Sequence, residues 1–389
     1  MPAICFVSTV HDPFDSRVFY KLARTLARGG YTVTLLAPGA PDETFDGVRL
    51  KPLPPKPPAR QAWRRWLGLL RVWRQARAEH ADLYFVYDPE MTVVGLLLKL
   101  GGRKVVYDIH EHVPYQILDK DWIPRALRRP VAWLYDRYER LAVRAFDAVL
   151  PAFEQIAGRF PHARRKMAII RNVPELALWR SAKPDRPAPD GSIIAVYSGS
   201  VQPDRCVLEC VQAVNRLDPA LNVHLWVIGP FKMDAYEAEV RAAAGERVRL
   251  WGNVRHDGVP ALLAQAHIGL MSLRPQRNSS VNWPIKLFEY MAAGLPMIMH
   301  DNPFWLSLAG ESALAVNIED PDSIAAGIAA LAVDGARRAE MGAHGRERAQ
   351  QQYNWDDQAA ELLAVIERLI GPPERAAGEE ANDHERSSG

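Results

Sequence analysis

Residues 278–296 read NSSVNWPIKLFEYMAAGLP, and the rest of the 389-residue chain is organised around this stretch. Pro284 suits the first position of a helix, where its missing N–H costs nothing. Gly294 suits the left-handed residue that ends a helix, and Pro296 follows it. The apolar run 297–299 is typical of a short strand. The stretch therefore predicts a loop, a helix and a strand, with the N-terminus of the helix facing the loop.

Two opposite charges lie on one face of this predicted helix. Lys286 and Glu289 are three residues apart and fall opposite the apolar side chains. A helix N-terminus carries roughly +0.5 of an elementary charge and free N–H groups, which suit a phosphate, and Lys286 adds a positive charge. A carboxylate such as Glu289 accepts two sugar hydroxyls. Phosphate plus a diol describes a nucleotide. The alternative is an ordinary amphipathic helix with an exposed Lys–Glu pair worth about 0.2–0.5 kcal/mol.

The string PIKLFEYMAAGLPMI, residues 284–298, resembles the donor-site segment of family 4 glycosyltransferases with the GT-B fold. The resemblance implies that the helix N-terminus binds the donor diphosphate and that Glu289 binds the nucleotide ribose. The family often has a second glutamate eight positions earlier, where this chain has Val281. Its usual Gly-Phe-Gly is Asn282-Trp283-Pro284 here. The missing carboxylate usually lies near the transferred sugar, so the sequence leaves open what replaces it.

Two further segments of the second half resemble donor-site motifs of the same family. After the predicted strand 193–198, Gly199 matches a family glycine, Ser200 replaces an arginine, and Arg205 stands where the family has a diphosphate-binding lysine. Arg205 can bind phosphate through two hydrogen bonds, although it could equally start a helix in solvent. Residues 252–275 match the segment whose backbone reads the nucleotide base. The implied donor-site residues are Gly199, Arg205, Gly229, Val254, Arg255, Asn282, Trp283, Ile285, Lys286, Leu287 and Glu289.

The first half alternates strand and helix patterns. An apolar strand at 3–8, a helix at 16–28 and a strand at 31–37 make a βαβ unit, whose repetition gives a parallel sheet covered on both faces. The loop between them, HDPFDSR, lies at the carboxyl end of a strand, where ligands bind in such sheets. It contains His11, Asp15 and Arg17. These residues predict an acceptor or phosphate loop, with a plain polar turn as the alternative.

A second polar segment, DIHEH at 108–112, follows the strand predicted at 104–107. His110, Glu111 and His112 could share a pocket, but alternate side chains of an extended segment point to opposite faces, which weakens a metal site. The family resemblance implies that His110 faces the donor sugar and the acceptor. The alternative is a histidine that hydrogen-bonds backbone. The last strands of this half are predicted at 148–150 and 167–170.

Charge and aromatic residues are unevenly distributed. Residues 1–171 contain 28 Lys and Arg against 17 Asp and Glu, whereas residues 172–389 contain 20 against 29. The segment QAWRRWLGLLRVWRQARAEH, residues 61–80, places Trp63, Trp66 and Trp73 on one helical stripe with arginines off it. This pattern is typical of a helix in an anionic membrane interface. The alternative is a surface helix packed on its own sheet.

Composition narrows the class of protein. With 48% hydrophobic and 24% charged residues and no apolar run near 18 residues, the sequence predicts a soluble protein without a transmembrane helix. The first residues lack the pattern of a signal peptide. The three cysteines form no disulfide or zinc pattern, which fits a reducing cytoplasm. The basic half contains no known nucleic-acid-binding module, so no nucleic-acid partner is expected.

These features predict an α/β protein of the GT-B fold, with two doubly wound, parallel-sheet (Rossmann-like) domains facing each other across a cleft. We expect an acceptor domain at 1–175, a nucleotide-sugar domain at 176–353, a helix at 354–370 that returns to the first domain, and a disordered tail at 371–389. His110, Lys286 and Arg205 are the predicted catalytic residues, and His11, Asp15, Arg17 and Glu111 the predicted acceptor or phosphate loop.

The resemblance implies a hexosyltransferase that moves a sugar from a UDP- or GDP-linked donor to a saccharide or polyprenyl-linked acceptor in bacterial surface-polysaccharide assembly. It implies retention of configuration, with neither a metal nor another cofactor. The expected location is cytoplasmic, extending to the cytoplasmic face of the inner membrane. Two alternatives remain: a nucleotide-sugar 2-epimerase of the same fold, and a catalytically silent protein that binds a nucleotide sugar and docks on membranes.

Overall fold

The computed structural model describes residues 1–56, 64, 66–120, 122–179, 191–274 and 283–373. The chain divides into two compact units. Unit 1 consists of Met1–Arg171 together with the chain from Asp357 onward, and unit 2 consists of Asn172–Asp356. Most of the predicted tail, residues 374–389, lies outside the described residues.

Unit 1 is built on a seven-stranded sheet. Its strands are β1 (Ala3–Val7), β2 (Thr32–Pro38), β3 (Glu43–Phe45), β4 (Val48–Leu53), β5 (Leu83–Val86), β6 (Lys104–Ile109) and β7 (Ala148–Pro151). They lie in the order β3-β4-β2-β1-β5-β6-β7, and all pairs are parallel except the hairpin β3–β4 at one edge. The helices are α1 (Arg24–Arg28), preceded by a π-helical turn Val18–Ala23, α2 (Leu69–Ala78), α3 (Met91–Leu100), α4 (Val113–Asp119), α5 (Arg125–Ala145) and α6 (Glu154–Ala157). Helices cover both faces because parallel strands need crossover connections.

Unit 2 repeats this plan with a six-stranded, all-parallel sheet. Its strands are β8 (Ile193–Ser198), β9 (Val223–Ile228), β10 (Val248–Gly252), β11 (Ile268–Met271), β12 (Met297–His300) and β13 (Ala313–Val316), in the order β10-β9-β8-β11-β12-β13. Its helices are α7 (Val207–Arg216), α8 (Asp234–Ala243), α9 (Val259–Leu263), α10 (Ile285–Ala293), α11 (Pro303–Ala309), α12 (Pro321–Val333) and α13 (Gly335–Gln352). Two parallel-sheet α/β domains were predicted, and the structure confirms them.

The last helix, α14 (Trp355–Ile370), lies almost wholly in unit 1. Gln358 accepts the backbone N–H of Arg171 at 2.8 Å, and the carbonyl of Gly371 accepts the hydroxyl of Tyr31 at 3.0 Å. Leu363 packs so tightly on Gly29 that a Cβ there would come within 2.6 Å of it. The helix is therefore held along its length by the residues of unit 1.

The strand predicted at 167–170 is wrong. Only Met167 forms a bridge, to Val149 of β7. Ala168 donates its N–H to the carbonyl of Val149, but the next bond of a parallel ladder would need an N–H from residue 151. That residue is Pro151, which has none. Ile170 still donates its N–H to the carbonyl of Pro151 at 3.1 Å, but the second hydrogen bond of that bridge is missing, so the segment forms one bridge rather than a strand.

Candidate active site

Helix α10 ends at Gly294 as the sequence predicts, but it begins at Ile285, one residue after the predicted first position at Pro284. Pro284 stands just before it in an extended conformation, and Gly294 ends it with φ +70°. All residues from Lys286 to Ala293 are buried. Lys286 is 8% exposed and Glu289 7%, so the alternative of a surface helix with an exposed ion pair does not describe α10. A buried lysine and a buried glutamate on one helix face need a polar partner or a ligand.

Lys286 lies against the carboxyl end of β8. Its Nζ is 4.0 Å from the centre of the Tyr197 ring, near the end of β8. A Cβ at Gly199, the first residue after β8, would come within 3.0 Å of that Nζ. Gly229, just after β9, approaches Gly199 even more closely, because a Cβ there would lie 1.9 Å from the Gly199 carbonyl oxygen. Both glycines have positive φ, so these positions suit only glycine.

The surroundings of Lys286 disfavour its charged form. Burial and the neighbouring guanidinium of Arg205 lower its pKa well below the usual value, and Glu289 only partly opposes them. Arg205 ends a short turn, Pro203–Arg205, and its side chain is 27% exposed, 3.7 Å from Asp204. Arg205 is therefore neither buried in the core nor fully solvated. Two cations converge where an anion would relieve their repulsion.

The base-segment residues lie beside Glu289. Gly252 ends β10 with φ +69°, and the chain then passes through Val254 and Arg255 to His256. The Nδ1 of His256 is 3.9 Å from Oε1 of Glu289. Arg255 is exposed and pairs with Asp257 at 3.1 Å, so its side chain points to solvent rather than to Glu289. Sequence reasoning missed His256, although it lies within the quoted motif.

The other predicted donor residues frame the start of α10. Trp283 stacks on Phe288, with ring centres 5.3 Å apart. The side chain of Leu287 is fully buried in the core. Ile285 is the first residue of the helix. Asn282, and with it Val281, lies outside the described residues.

In unit 1 the two predicted polar loops come together at the carboxyl ends of β1 and β6. Arg17 forms a two-point ion pair with Asp108, with Nε to Oδ2 at 2.9 Å and Nη2 to Oδ1 at 2.5 Å. The pair is 3% and 0% exposed. Arg17 is thus neutralised by Asp108, and it ties the HDPFDSR loop to the DIHEH loop. Phosphate bound by Arg17, as predicted for this loop, would therefore have to compete with Asp108 for the guanidinium.

Two histidines face each other in this cluster. The rings of His11 and His110 are 4.8 Å apart. Burial lowers the pKa of His11, but the carboxylates of Asp15, at 3.1 Å, and Asp88, at 3.6 Å, outweigh it and raise the pKa to about 9. Burial and the charge of His11 lower the pKa of His110 well below 6.5. At neutral pH the pair therefore consists of one imidazolium and one neutral imidazole.

A cavity of about 520 Å³ opens beside the two histidines. This is within the size range of small-molecule sites. Its polar wall contains His11, Asp88, Glu90, His110 and Glu111. Its apolar wall contains Trp66, Ile117, Trp122, Ile123 and Val131. Among the described residues no group of three or more His, Cys, Asp or Glu is arranged to hold a metal ion.

The predicted tryptophan stripe is only partly present. Trp63 lies outside the described residues, and Trp73 is half-buried with the guanidinium of Arg77 over its ring. Helix α2 packs inward through Leu69, Val72 and Ala76. Large apolar side chains that remain exposed nearby are Trp66 (42%), Leu67 (73%) and Leu70 (51%).

Helix α5 carries a second exposed apolar stripe that sequence reasoning did not single out. Leu127, Val131, Leu134 and Leu141 recur at helical spacing and are 52%, 39%, 64% and 61% exposed. We call these four residues with Trp66, Leu67 and Leu70 the apolar surface. Val131 and Trp66 both line the cavity, so the two stripes meet there. No helix among the described residues is both long and apolar enough to span a bilayer.

Two parallel-sheet domains, one with a cationic helix start against glycine-rich strand ends, define a protein of the GT-B class. Two family models match the chain: "Glycosyl transferase 4-like domain" over residues 16–172 and "Glycosyl transferases group 1" over residues 192–334. The chain belongs to the GT-B glycosyltransferases of family 4, and it is a glycosyltransferase. No curated protein sequence matches it.

Solved structures show the same fold at low sequence identity. Sucrose-phosphate synthase from Thermosynechococcus elongatus matches with a TM-score of 0.73 at 18% identity, over 95% of this chain and 99% of that one. HepE from Anabaena, in complex with UDP and glucose, matches with a TM-score of 0.69 at 14% identity, over 95% and 100%. An α,α-trehalose-phosphate synthase from Burkholderia xenovorans, in complex with glucose-6-phosphate, matches with a TM-score of 0.66 at 14% identity, over 94% and 100%.

Proposed function

We propose that this chain is a hexosyltransferase that takes its sugar from a nucleotide diphosphate bound in unit 2. The observation that carries the proposal is the buried Lys286 at the start of α10, beside Tyr197 and Gly199, with Glu289 one turn further along. UDP is the favoured nucleotide, with GDP second, because HepE, a protein of similar fold, is a complex with UDP. The acceptor is a saccharide or a lipid-linked glycan, in keeping with a role in surface-polysaccharide assembly.

The proposed chemistry rests on the leaving group. As the glycosidic bond breaks, negative charge develops on the diphosphate, and stabilising that charge is the main catalytic need. Lys286, Arg205 and the N–H groups of the α10 terminus supply positive charge there, so we expect transfer without a metal or another cofactor. Glu289 binds the ribose hydroxyls, and the Nδ1 of His256 lies 3.9 Å from the same carboxylate. We expect retention of configuration, with attack on the face that the diphosphate leaves.

In unit 1, His110 is the side chain proposed to face the acceptor. Its low pKa keeps it neutral, so it can accept a hydrogen bond at neutral pH. His11, held charged by Asp15 and Asp88, fixes the electrostatic environment of His110. The two rings therefore differ in role: His11 stays protonated, and His110 stays neutral and accepts a hydrogen bond.

Glu289→Gln tests the donor site with an internal control. A neutral amide accepts the ribose hydroxyls less well, so we expect affinity for UDP to fall at least ten-fold while affinity for inorganic diphosphate is unchanged. Isothermal titration calorimetry measures both. Equal loss for both ligands, or no loss for UDP, would contradict the placing of the ribose at Glu289.

Product analysis separates the proposed transferase from its two alternatives. Nucleotide sugars are first screened for a rise in melting temperature, since a ligand at 100 times its Kd adds about 2.7 kcal/mol. The best donor is then incubated with and without glycans. Transfer product that forms only with an acceptor supports the transferase. Free nucleotide and an epimerised sugar without any acceptor would identify an epimerase, and binding without turnover a silent binding protein.

Unit 1 is also proposed to dock on anionic membranes through the apolar surface. Four exposed leucines and valines on α5 sit in the half of the chain with 28 basic and 17 acidic residues. Apolar side chains insert at the interface, and each nearby cation adds about 1 kcal/mol on an anionic surface.

Vesicle sedimentation tests this docking. Leu134→Ser with Leu141→Ser should abolish sedimentation with vesicles that contain anionic lipid, and Leu100→Ser, an exposed leucine on α3, should leave it unchanged. Sedimentation of the double variant equal to that of the parent protein would refute the proposed surface.

A further inference from the structure

Arg205 lies on a turn that is very short. The turn is the 3₁₀ segment Pro203–Arg205 between β8 and α7, in which the N–H of Arg205 donates to the carbonyl of Gln202 at 2.9 Å and that of Cys206 to Pro203 at 3.3 Å. Hydrogen bonds in short 3₁₀ segments have poor geometry. Contacts from outside the turn are therefore needed to fix the direction of the Arg205 side chain.

Cys206, which follows the turn, has a strained backbone. Its φ is +47° and its ψ +35°, in the left-handed region that suits glycine. The other described residues with a positive φ that are not glycines are Asp46, His80 and Asn222, whose types tolerate this region better. The side chain of Cys206 is fully buried at the start of α7. Such strain persists where surrounding contacts impose it, and it clusters at ligand-binding sites.

The surrounding contacts come from the segment that follows β11, the neighbour of β8 in the sheet. The hydroxyl of Ser272, a residue only 2% exposed, donates to the carbonyl of Arg205 at 2.7 Å. The backbone N–H of Arg274 donates to the carbonyl of Asp204 at 2.9 Å. Two successive carbonyls of the turn are therefore held by the end of an adjacent strand.

The side chain of Arg274 holds the elements on either side of the turn. Its Nε is 2.6 Å from Oε1 of Glu319, just after β13, and its Nη2 donates to Oε1 of Glu209, in the first turn of α7, at 3.4 Å. The pKa of the Cys206 thiol is raised to about 12, mainly by burial. The two carboxylates act in the same direction and the guanidinium opposes them, so these charges lie around the end of the turn.

Repulsion between cations explains why Arg205 needs such support. Burial and then the charge of Arg205 lower the pKa of Lys286, so the two side chains disfavour each other's charge. The side chain of Arg205 is 27% exposed, and turning outward would reduce this repulsion. A turn held by Ser272 and Arg274 opposes that movement. Both cations then stay where charge develops on the leaving group, without reorganisation during the reaction.

We propose that Ser272 and Arg274 are positioning residues that hold the turn so that the guanidinium of Arg205 meets the diphosphate beside Lys286. The proposal rests on the function proposed above, in that Arg205 binds the donor diphosphate. It assigns two residues that act on the donor through Arg205 rather than by contact.

Titration calorimetry with UDP and with inorganic diphosphate tests the proposal on the whole chain. Ser272→Ala removes the hydrogen bond to the Arg205 carbonyl, and Arg274→Gln removes both ion pairs but keeps the backbone N–H. Each variant should weaken the binding of both ligands roughly five-fold or more, within the range of coupling in one network. Arg274→Lys, which can still pair with one carboxylate, should recover part of the loss.

Two matched variants remove equivalent contacts elsewhere in unit 2. Ser312→Ala removes a buried hydroxyl that donates to the carbonyl of Ala309 at 2.8 Å, just before β13 begins. Arg216→Gln removes a pair with Asp322, at 2.6 Å, at the other end of α7. Both control variants should bind UDP and diphosphate as the parent does. A loss in the controls as large as in the Ser272 and Arg274 variants would overturn the proposal.

A double-mutant cycle separates positioning from a general loss of structure. In the Arg205→Met background, Ser272→Ala and Arg274→Gln should have no further effect on diphosphate affinity, because both act through that guanidinium. A further loss as large as in the parent background would overturn the proposal.

The single variants distinguish this proposal from the donor-site assignment. Parent affinity in Ser272→Ala and Arg274→Gln, with weakened binding in Arg205→Met, would overturn the positioning alone. Parent affinity in Arg205→Met would overturn both the positioning and the role of Arg205 in donor binding. Lys286→Met reports on the rest of the donor site separately, because Lys286 lies on α10 and not on this turn.

Discussion

Replacing Lys286 with methionine should change ligand affinity and apo stability in opposite directions. Methionine retains most of the apolar stem that packs on Tyr197 but removes the ammonium group, which lies 4.0 Å from that ring and is 8% exposed. A charge-assisted hydrogen bond to phosphate is worth roughly 1.5–3 kcal/mol, so affinity for UDP should fall roughly 10- to 150-fold. Burial and Arg205 disfavour the charged amine in the free protein. Its removal should leave the melting temperature unchanged or raise it by about 2–4 °C, the equivalent of roughly 1 kcal/mol.

Two measurements on one sample suffice for Lys286→Met: calorimetric titration with UDP, and the melting temperature of the free protein. Arg241→Met is the matched control, since Arg241 is a 58% exposed cation of unit 2 that pairs with Glu237 on α8. The control should bind UDP as the parent does. UDP affinity within two-fold of the parent for Lys286→Met would refute the reasoning. A large fall in the apo melting temperature would show instead that the lysine is a structural residue.

Three further predictions follow from the same geometry. The pKa of Lys286 is low in the free protein, and a bound diphosphate favours the charged amine, so UDP binding at pH 8 should take up protons and its affinity should fall as pH rises. Titrations in buffers of different ionisation enthalpy should show this proton uptake. The Lys286→Met variant should not show it. The pKa of His11 is raised to about 9, so its protonation contributes roughly 3 kcal/mol to the free energy of unfolding. This contribution is complete below about pH 6.5 and is lost as the pH rises through 9. Denaturant titrations should therefore show a steeper loss of stability over that range for the parent protein than for His11→Gln. Gly229→Ala should lower the melting temperature markedly, because its Cβ would collide with Gly199. Gly39 also has a positive φ, but no atom lies near the position of its Cβ, so Gly39→Ala should cost only backbone strain of about 1 kcal/mol. Equal costs for the two variants would contradict the close approach of Gly229 to Gly199.

The sequence predicts the donor helix well because local rules determine it. Proline before the helix and glycine after it leave few alternatives, and the spacing of Lys286 and Glu289 places both on one face. Their burial could not be predicted from that spacing, because an exposed pair has the same pattern. Lys286 is buried beside Tyr197 and Gly199, which are distant from it in sequence and reach the helix only through the order of the strands.

The unit 1 site shows what local patterns leave out. Both polar loops were predicted at strand ends, yet the pairing of Arg17 with Asp108 joins residues 91 positions apart and follows from the adjacency of β1, β5 and β6. The opposite charge states of His11 and His110 depend on that arrangement. The strand predicted at 167–170 does not form because its partner strand β7 ends in Pro151, which has no N–H to donate. This effect appears only when the register is known.

The sequence predicted a membrane-binding helix from Trp63, Trp66 and Trp73, but most of the apolar surface lies on α5. Trp73 satisfies the helical stripe yet is half-buried beside Arg77. Leu127, Leu134 and Leu141 look like core residues in the sequence, since leucine at helical spacing usually faces a core. Only the packing shows that α5 buries the other side, through Ala132, Glu139 and Val143.

The central claim is that the start of α10 receives the diphosphate of a nucleotide sugar while Glu289 binds its ribose. A crystal structure of the chain with UDP tests this most directly. The account predicts diphosphate oxygens within 3.2 Å or so of Lys286 Nζ and of the first N–H groups of α10, with both ribose hydroxyls on the carboxylate of Glu289. UDP bound elsewhere, or bound with its ribose away from Glu289, would contradict the account.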